Sequence, residues 1–94
     1  MHIDDFIWLP NFLDKIEVKH QVLQDEVEEV FFNQPRFRFV ELGHQKGENV
    51  YSASGQIEAG RYLIVFFIHK SSNTALILSA RDMDRKERKR YERK

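Results

Sequence analysis

The sequence contains no cysteine, no long apolar segment and no net charge. Because it lacks cysteine, a disulfide framework and a zinc site built on thiolates are both excluded. The longest apolar run, Tyr62 to Ile68, is far shorter than the roughly 18 residues of a membrane-spanning helix. No secretory signal sequence is visible at the amino end. We therefore expect a cytoplasmic protein that does not enter a membrane.

Common sites for metals and phosphates are missing as well. The chain has no glycine-rich phosphate loop and no serine-centred nucleophile elbow. Its four histidines are far apart in the sequence and lack the short spacing to a second ligand that metal sites show. They are His2, His20, His44 and His69. We therefore expect neither a metal nor a cofactor.

The balanced charge hides a strong polarity along the chain. Residues 1–34 carry eight acidic side chains and two lysines, whereas residues 81–94 carry eight basic side chains and four acidic ones. A basic end of this kind permits binding to nucleic acid although the whole chain is neutral. The length of 94 residues is sufficient for one core, so we expect a single domain over 1–94.

Hydrophobic periodicity divides the chain into a helical part and a β part. Apolar residues recur every three or four positions over 10–20 and 22–32, which predicts two helices. After Pro35 the period changes to two, which predicts four strands. These strands cover residues 36–40, 49–54, 61–69 and 74–80. The connections between them, 43–47, 55–60 and 70–73, are short enough for an antiparallel meander.

The placement of these elements follows from their apolar faces. The strand 61–69 is apolar on both faces, so it should be central, with the two helices on one face. Residues 2–8 are expected to form a short edge strand. The strand 36–40 alternates arginine with phenylalanine, a pattern that suits either contact with RNA or an ordinary core-facing strand; we favour the second. The predicted class is α+β, with two helices packed on a four- or five-stranded antiparallel sheet.

The chain ends in a short basic helix. Asp84 and Glu87 match a capping box, so the helix should begin there, with Tyr91 on the same stripe. Arg81 stands at the end of the preceding strand, where a rigid element could aim its guanidinium at a phosphate. The simpler alternatives are a solvated helix in which Tyr91 is a docking anchor and Glu87 only closes the capping box.

An ordered set of residues closely resembles the BrnT-type toxin family. It comprises Trp8-x-Pro10, Lys19-His20, Val22, Glu26, Val30 and Phe31 before Pro35, then Ser79-Ala80-Arg81, Glu87 and Tyr91. The resemblance covers about residues 6–93. It implies a fold akin to the RelE-type ribonucleases, RNA cleavage without a metal, and neutralisation by a small DNA-binding antitoxin of the BrnA type.

Two positions depart from the pattern of that family. Leu9 stands where the family usually has an aspartate as helix N-cap, and Gln21 stands where it has a glycine. The first change should cost the helix start about 1 kcal/mol, and the second removes the most flexible residue from the turn. Both changes suggest a divergent branch of the family, and neither removes a chemical group from the implied site.

The chemistry implied by the resemblance needs three kinds of group. A base takes the proton of the ribose 2′-hydroxyl, a cation stabilises the charged phosphate, and an acid protonates the leaving 5′-oxygen. His20, Glu87 and Tyr91 are the candidate acids and bases, and Arg81 and Arg61 are the candidate cations. Lys19 could serve in either role if its pKa were lowered. The candidate RNA-binding residues are Lys19, Arg61, Arg85, Lys86, Lys89 and Arg90.

Alternative roles remain for several of these residues. By its spacing His20 lies on the apolar face of its helix, so it could be a half-buried structural histidine. Arg61 could pair with Glu48 or Glu58 across a hairpin. The expected function is a ribonuclease toxin that binds RNA and an antitoxin, and the alternative is a non-catalytic or degenerate interaction module. The oligomeric state is left open, and a homo-oligomer is retained as an alternative.

Overall fold

The computed structural model describes residues 1–43 and 45–93. His44, in the predicted loop 43–47, and Lys94, at the end of the basic segment, lie outside the described residues. The described residues form three helices and one five-stranded sheet. In chain order the elements are β1 (Asp5–Ile7), α1 (Pro10–His20), α2 (Gln24–Phe32), β2 (Arg36–Glu41), β3 (Val50–Gln56), β4 (Tyr62–Lys70), β5 (Thr74–Asp82) and α3 (Arg85–Glu92).

The ends of α1 show the effect of the two departures noted above. The helix covers the predicted residues, with Pro10 at its first position, but the N-cap Leu9 supplies no side-chain hydrogen bond. At the other end Gln21 adopts a left-handed conformation, with φ 51° and ψ 40°. Its N–H donates to the Glu17 carbonyl and thereby closes the helix. This position favours glycine, so a glutamine here carries conformational strain.

The start of α2 lies two residues later than predicted. Val22 is fully buried in the core, and Leu23 is the N-cap in an extended conformation. The backbone N–H of Leu23 donates to Glu26 Oε1 at 2.9 Å, which satisfies one donor at the helix start. The apolar pattern of 22–32 therefore includes a residue that is buried before the helix begins.

The sheet has the order β1-β5-β4-β3-β2. Strands β2 to β5 form the predicted antiparallel meander, and β4 lies in the interior of the sheet as predicted. The prediction of a purely antiparallel sheet is wrong, because β1 pairs with β5 in parallel, with Asp5 opposite Thr74. Hairpin turns make neighbouring strands antiparallel, whereas β1 joins the meander through two helices that allow either direction. The sheet is therefore mixed.

Helices α1 and α2 pack on one face of the sheet. Phe31 of α2 contacts Phe67 of β4 edge-on, with 5.1 Å between ring centroids. Ile16 of α1 joins the same core and is 1% exposed. A Cβ at Gly55 would lie 3.2 Å from Val30 Cγ1, so β3 needs this glycine for the close approach of α2. Together these contacts form the hydrophobic core.

Helix α3 lies on the opposite face of the sheet. Tyr62 and Phe67 are five positions apart on β4, so their side chains point to opposite faces. Tyr91 contacts Tyr62 edge-on at 6.0 Å, and Arg88 Cζ lies 3.9 Å from the centre of the Tyr62 ring. No residue of α3 is fully buried, so a few specific contacts hold this helix in place.

No helix within the described part of the chain is long and apolar enough to span a membrane.

Candidate nucleic-acid interface between the last helix and the sheet

A cleft of about 570 Å³ opens between α3 and the half of the sheet that contains β2. We call it the α3 cleft. Ser52, Ser54, Ile64 and Phe66 form its floor, since they lie on the sheet face opposite Phe67. The other lining residues are Arg36, Phe37, Arg38, Phe39 and Val40 of β2 and Glu87, Arg90 and Tyr91 of α3.

Arg81 and Glu87 form a two-pronged ion pair beside this cleft. Arg81 Nη1 donates to Glu87 Oε1 at 2.7 Å, and Nη2 donates to Oε2 at 2.9 Å. The Arg81 guanidinium also lies 5.5 Å from the centre of the Phe66 ring on the cleft floor. The side chains are 34% and 15% exposed, respectively. The pair therefore fixes α3 to the end of β5, with Glu87 in the lining of the cleft and Arg81 beside it.

Glu87 also completes the capping box predicted from the sequence. Its Oε1 accepts the Asp84 N–H at 2.9 Å, and Asp84 Oδ1 accepts the Glu87 N–H at 2.8 Å. The hydrogen bonds from Arg81 hold the pKa of Glu87 below its usual value, and the same bonds raise the pKa of Arg81. Glu87 is therefore a carboxylate at neutral pH, which suits a proton acceptor better than a proton donor.

Arginines of β2 supply further positive charge to the cleft. Arg36 Cζ lies 5.4 Å from the centre of the Tyr91 ring, and Arg36 Nη1 donates to the Arg93 carbonyl at 2.7 Å. Arg38 lies two positions further along β2 and therefore shares this face. With Arg90 from α3, three arginines line the cleft. Arg36 and Arg38 were not among the site residues predicted from the sequence.

The alternation that predicted an ordinary strand in 36–40 has two consequences in the structure. Phe37 packs against the core residues Phe31 and Phe67, as the structural interpretation requires. The arginines on either side of it consequently face the α3 cleft. The signal for a basic surface was present in the pattern, but the pattern alone did not show which face of the sheet the last helix would border.

His20 and Lys19 lie apart from this group. Both belong to the last turn of α1, on the sheet face opposite α3; His20 is half-buried and Lys19 is exposed. In residues 1–43 and 45–93, no hydrogen bond or ion pair connects either side chain to Arg81 or Glu87. Their expected roles in proton transfer and RNA binding remain predictions.

Arg61 is the centre of a second polar network. It donates to both carboxylate oxygens of Asp82 at 3.1 Å, to the Gln21 carbonyl at 2.8 Å and to Glu26 Oε1 at 3.2 Å. The hydrogen bond with Asp82 is the main cause of its raised pKa. The predicted pairing of Arg61 with Glu48 or Glu58 is wrong, and Glu48 instead accepts a hydrogen bond from Lys70. These contacts favour a structural role, and phosphate binding by Arg61 remains a prediction.

The remaining basic candidates lie on the exposed surface of α3. Arg85, Lys86 and Lys89 are exposed, and none of them is part of the cleft lining given above. Arg85 and Lys89 line a separate, shallow depression together with Asp84 and Glu92. Binding of RNA by Arg85, Lys86 and Lys89 remains a prediction. The described residues contain no group of three or more histidine, aspartate or glutamate side chains arranged to hold a metal ion.

A family model described as the ribonuclease toxin BrnT of type II toxin-antitoxin systems matches residues 11–87. The chain belongs to this family. Membership implies a ribonuclease toxin with a cognate antitoxin protein, as the resemblance in the sequence indicated. The segment that matches the BrnT model contains Arg81 and Glu87, whereas Tyr91 and Arg90 follow it. No curated protein sequence matches the chain.

Proposed function

We propose that this BrnT-family protein is an endoribonuclease toxin and that the α3 cleft is its active site. The observation that carries the proposal is the meeting of the Arg81–Glu87 pair with three further arginines and Tyr91 around one cleft. Positive charge, an ionised carboxylate and a phenol are the groups that metal-free RNA cleavage uses. We further propose that residues 1–94 form a single domain with a RelE-like fold and that the protein acts in the cytoplasm.

Binding of RNA rests on charge and on aromatic surface. We assign phosphate contacts with a single strand to Arg36, Arg38 and Arg90, which line the cleft. Phe66 lies on the floor of the cleft, where an unstacked base can pack against its ring. These features favour a single-stranded substrate, since bases in a duplex are stacked and their faces are covered.

Stabilisation of the phosphate is assigned to Arg81. A guanidinium has five N–H donors. Glu87 accepts hydrogen bonds from two of them and the Asp82 carbonyl accepts from one, so two N–H donors of Arg81 remain available to a scissile phosphate. Charge that develops on the phosphate oxygens during cleavage is then met by donors already fixed at the end of β5.

Proton transfer is assigned to Glu87 and Tyr91. Glu87 accepts the proton of the 2′-hydroxyl as O2′ forms its bond to phosphorus. Tyr91 donates its phenolic proton to O5′ as the phosphorus–O5′ bond breaks. The products are a 2′,3′-cyclic phosphate and a 5′-hydroxyl. His20 and Lys19 are the alternative acid and base if the strand instead follows the α1 side of the sheet.

The test is cleavage of a labelled RNA by purified variants, together with growth and primer extension after induction in a bacterial host. Arg81→Ala should slow cleavage by about 10² to 10³, the usual effect of removing such a donor. Lys15→Ala is the control, since Lys15 is exposed on α1 and lies outside the cleft lining. If Arg81→Ala cleaves normally while His20→Ala or Arg61→Ala is inactive, the phosphate binds elsewhere.

A non-catalytic, protein-binding role is the second candidate. It is favoured by the Arg81–Glu87 contact, because two parallel hydrogen bonds of this kind are also what a purely structural clamp on α3 would show. Absence of RNA cleavage by the parent protein, with no effect of Arg81→Ala, His20→Ala or Arg61→Ala on growth, supports this second function. In either case the partner is proposed to be a small DNA-binding antitoxin of the BrnA type, and self-association remains open.

A further inference from the structure

The outer edge of β2 is open. This strand lies at one end of the sheet order, and no other strand within residues 1–43 and 45–93 pairs with its outer side. At six residues it is long enough for another extended chain to pair with its free N–H and C=O groups. The opposite edge is formed by β1, which has only three residues and therefore offers a much shorter surface.

Exposed apolar side chains are concentrated at the same edge. Phe39, Val40 and Leu42 are 52%, 42% and 76% exposed, respectively, although they lie within four positions of one another. Apolar groups that cluster on a surface next to an unpaired strand are typical of a site for another protein segment. The edge thus provides both backbone hydrogen bonds and apolar contact area.

The charges on β2 determine what kind of segment fits. Arg36 and Arg38 are exposed on the cleft face, and residues of an added strand that lie opposite them point to that same face. Carboxylates are therefore favoured at those positions. The alternate positions point to the face of Phe37 and Phe39, where apolar side chains are favoured. A second copy of β2 is disfavoured, because it would bring like-charged arginines together.

We propose that β2 receives an extended segment of a partner protein in which acidic and apolar residues alternate, so that the sheet gains a sixth strand. The segment places its carboxylates beside Arg36 and Arg38 and therefore competes with RNA phosphates at the α3 cleft. The competition rests on the function proposed above, whereas the docking itself does not. Binding of such a segment is a direct way for a partner to inhibit the cleft.

The experiment uses the full chain and a synthetic ten-residue peptide with glutamate and valine in alternation, capped at both ends. Calorimetry gives the affinity, and amide hydrogen exchange locates the contact. Two control peptides test the mechanism. One replaces glutamate by lysine and should bind at least tenfold more weakly. The other is made in two forms, with the backbone N-methylated either at the glutamates or at the valines. At least one form should bind at least tenfold more weakly, because the peptide N–H groups that pair with β2 are blocked.

Protein variants test the place of binding. Arg38→Glu should reverse the preference, so that the lysine peptide binds at least tenfold better than the glutamate peptide. Leu42→Ser should weaken both peptides. Lys15→Glu, an exposed change on α1, is the matched control and should alter neither affinity by more than twofold. In the parent protein, slower exchange on adding peptide should be concentrated in residues 36–41.

Several outcomes would overturn the proposal. They are equal binding of the glutamate and lysine peptides, full binding by both N-methylated forms, and slowed exchange in α3 without any in β2. Slowed exchange in β2 with a short single-stranded RNA but not with the peptide would assign this edge to RNA instead. Failure of the docking proposal can be told apart from failure of the proposed ribonuclease function, because peptide binding is measured without RNA cleavage. If the peptide binds β2 but the protein has no ribonuclease activity, the docking proposal holds and the proposed function fails.

Discussion

The Arg81–Glu87 contact should hold α3 on the sheet, and a double-mutant cycle measures how strongly. The cycle compares Arg81→Ala, Glu87→Gln and the combined variant. Each single change also alters other contacts, such as that of Arg81 with the Phe66 ring, but these losses recur in the combined variant and cancel. The coupling that remains belongs to the pair itself.

The expected coupling follows from the geometry of the pair. Fully exposed ion pairs contribute about 0.2–1 kcal/mol, and hydrogen bonds to charged groups contribute about 1.5–3 kcal/mol. Because Glu87 is 15% exposed and Arg81 is 34% exposed, the pair lies between these cases, and we expect about 1 kcal/mol after allowing for solvent screening. That corresponds to about a fivefold change in the population of an undocked helix.

The effect should be local. No residue of α3 is fully buried, so the helix can leave the sheet without exposing the core. Amide exchange in residues 85–92 should therefore accelerate about fivefold in either single variant, while exchange in β4 stays unchanged. A coupling close to zero would refute the clamp. Equal acceleration in α3 and β4 would show that the pair stabilises the whole fold instead.

Three further predictions concern other contacts. The pKa of Glu87 is lowered in the folded protein, so its ion pair stabilises α3 fully at pH values above the unfolded pKa of about 4.3. This stabilisation is lost as the pH falls through the lower pKa of the folded state. The chemical shifts of Tyr91 should report the undocking of α3, and Glu87→Gln should abolish its pH dependence. Gln21→Gly should stabilise the protein by up to about 1 kcal/mol in urea unfolding, because glycine adopts the left-handed conformation freely; no gain would show that the Gln21 side chain compensates for the strain. Arg61→Ala should lower the melting temperature by more than 4 °C, since it removes the donor that the Gln21 carbonyl and the largely buried Glu26 share. Loss of cleavage at an unchanged melting temperature would instead assign Arg61 to the active site.

Much of the fold follows from local patterns in the sequence. Helix α1 was predicted over its observed residues because Pro10 and the helical periodicity mark both ends. The order of β2 to β5 was predicted because short connections leave few alternatives. The capping box of Asp84 and Glu87 was also predicted, since its residues are three positions apart and its geometry depends only on the start of the helix.

The features that were missed depend on contacts between distant parts of the chain. The parallel pairing of β1 joins Asp5 to Thr74, and no local pattern encodes such a register. The partners of Arg61 come from the start of α2 and the end of β5, whereas the expected partners were the nearest acids in sequence. Arg36 was assigned to a solvent face for the same reason, because the position of α3 above it is a tertiary property.

The parallel pair of β1 and β5 also sets the order in which the chain can be completed during synthesis. Residues 5–7 are translated 69 residues before their hydrogen-bonding partners at 74–76. Contacts between such distant residues slow folding. Helix α3 follows β5 in the chain, so the α3 cleft is assembled last. In a nascent chain the α3 cleft therefore stays incomplete until residues 85–92 have been translated.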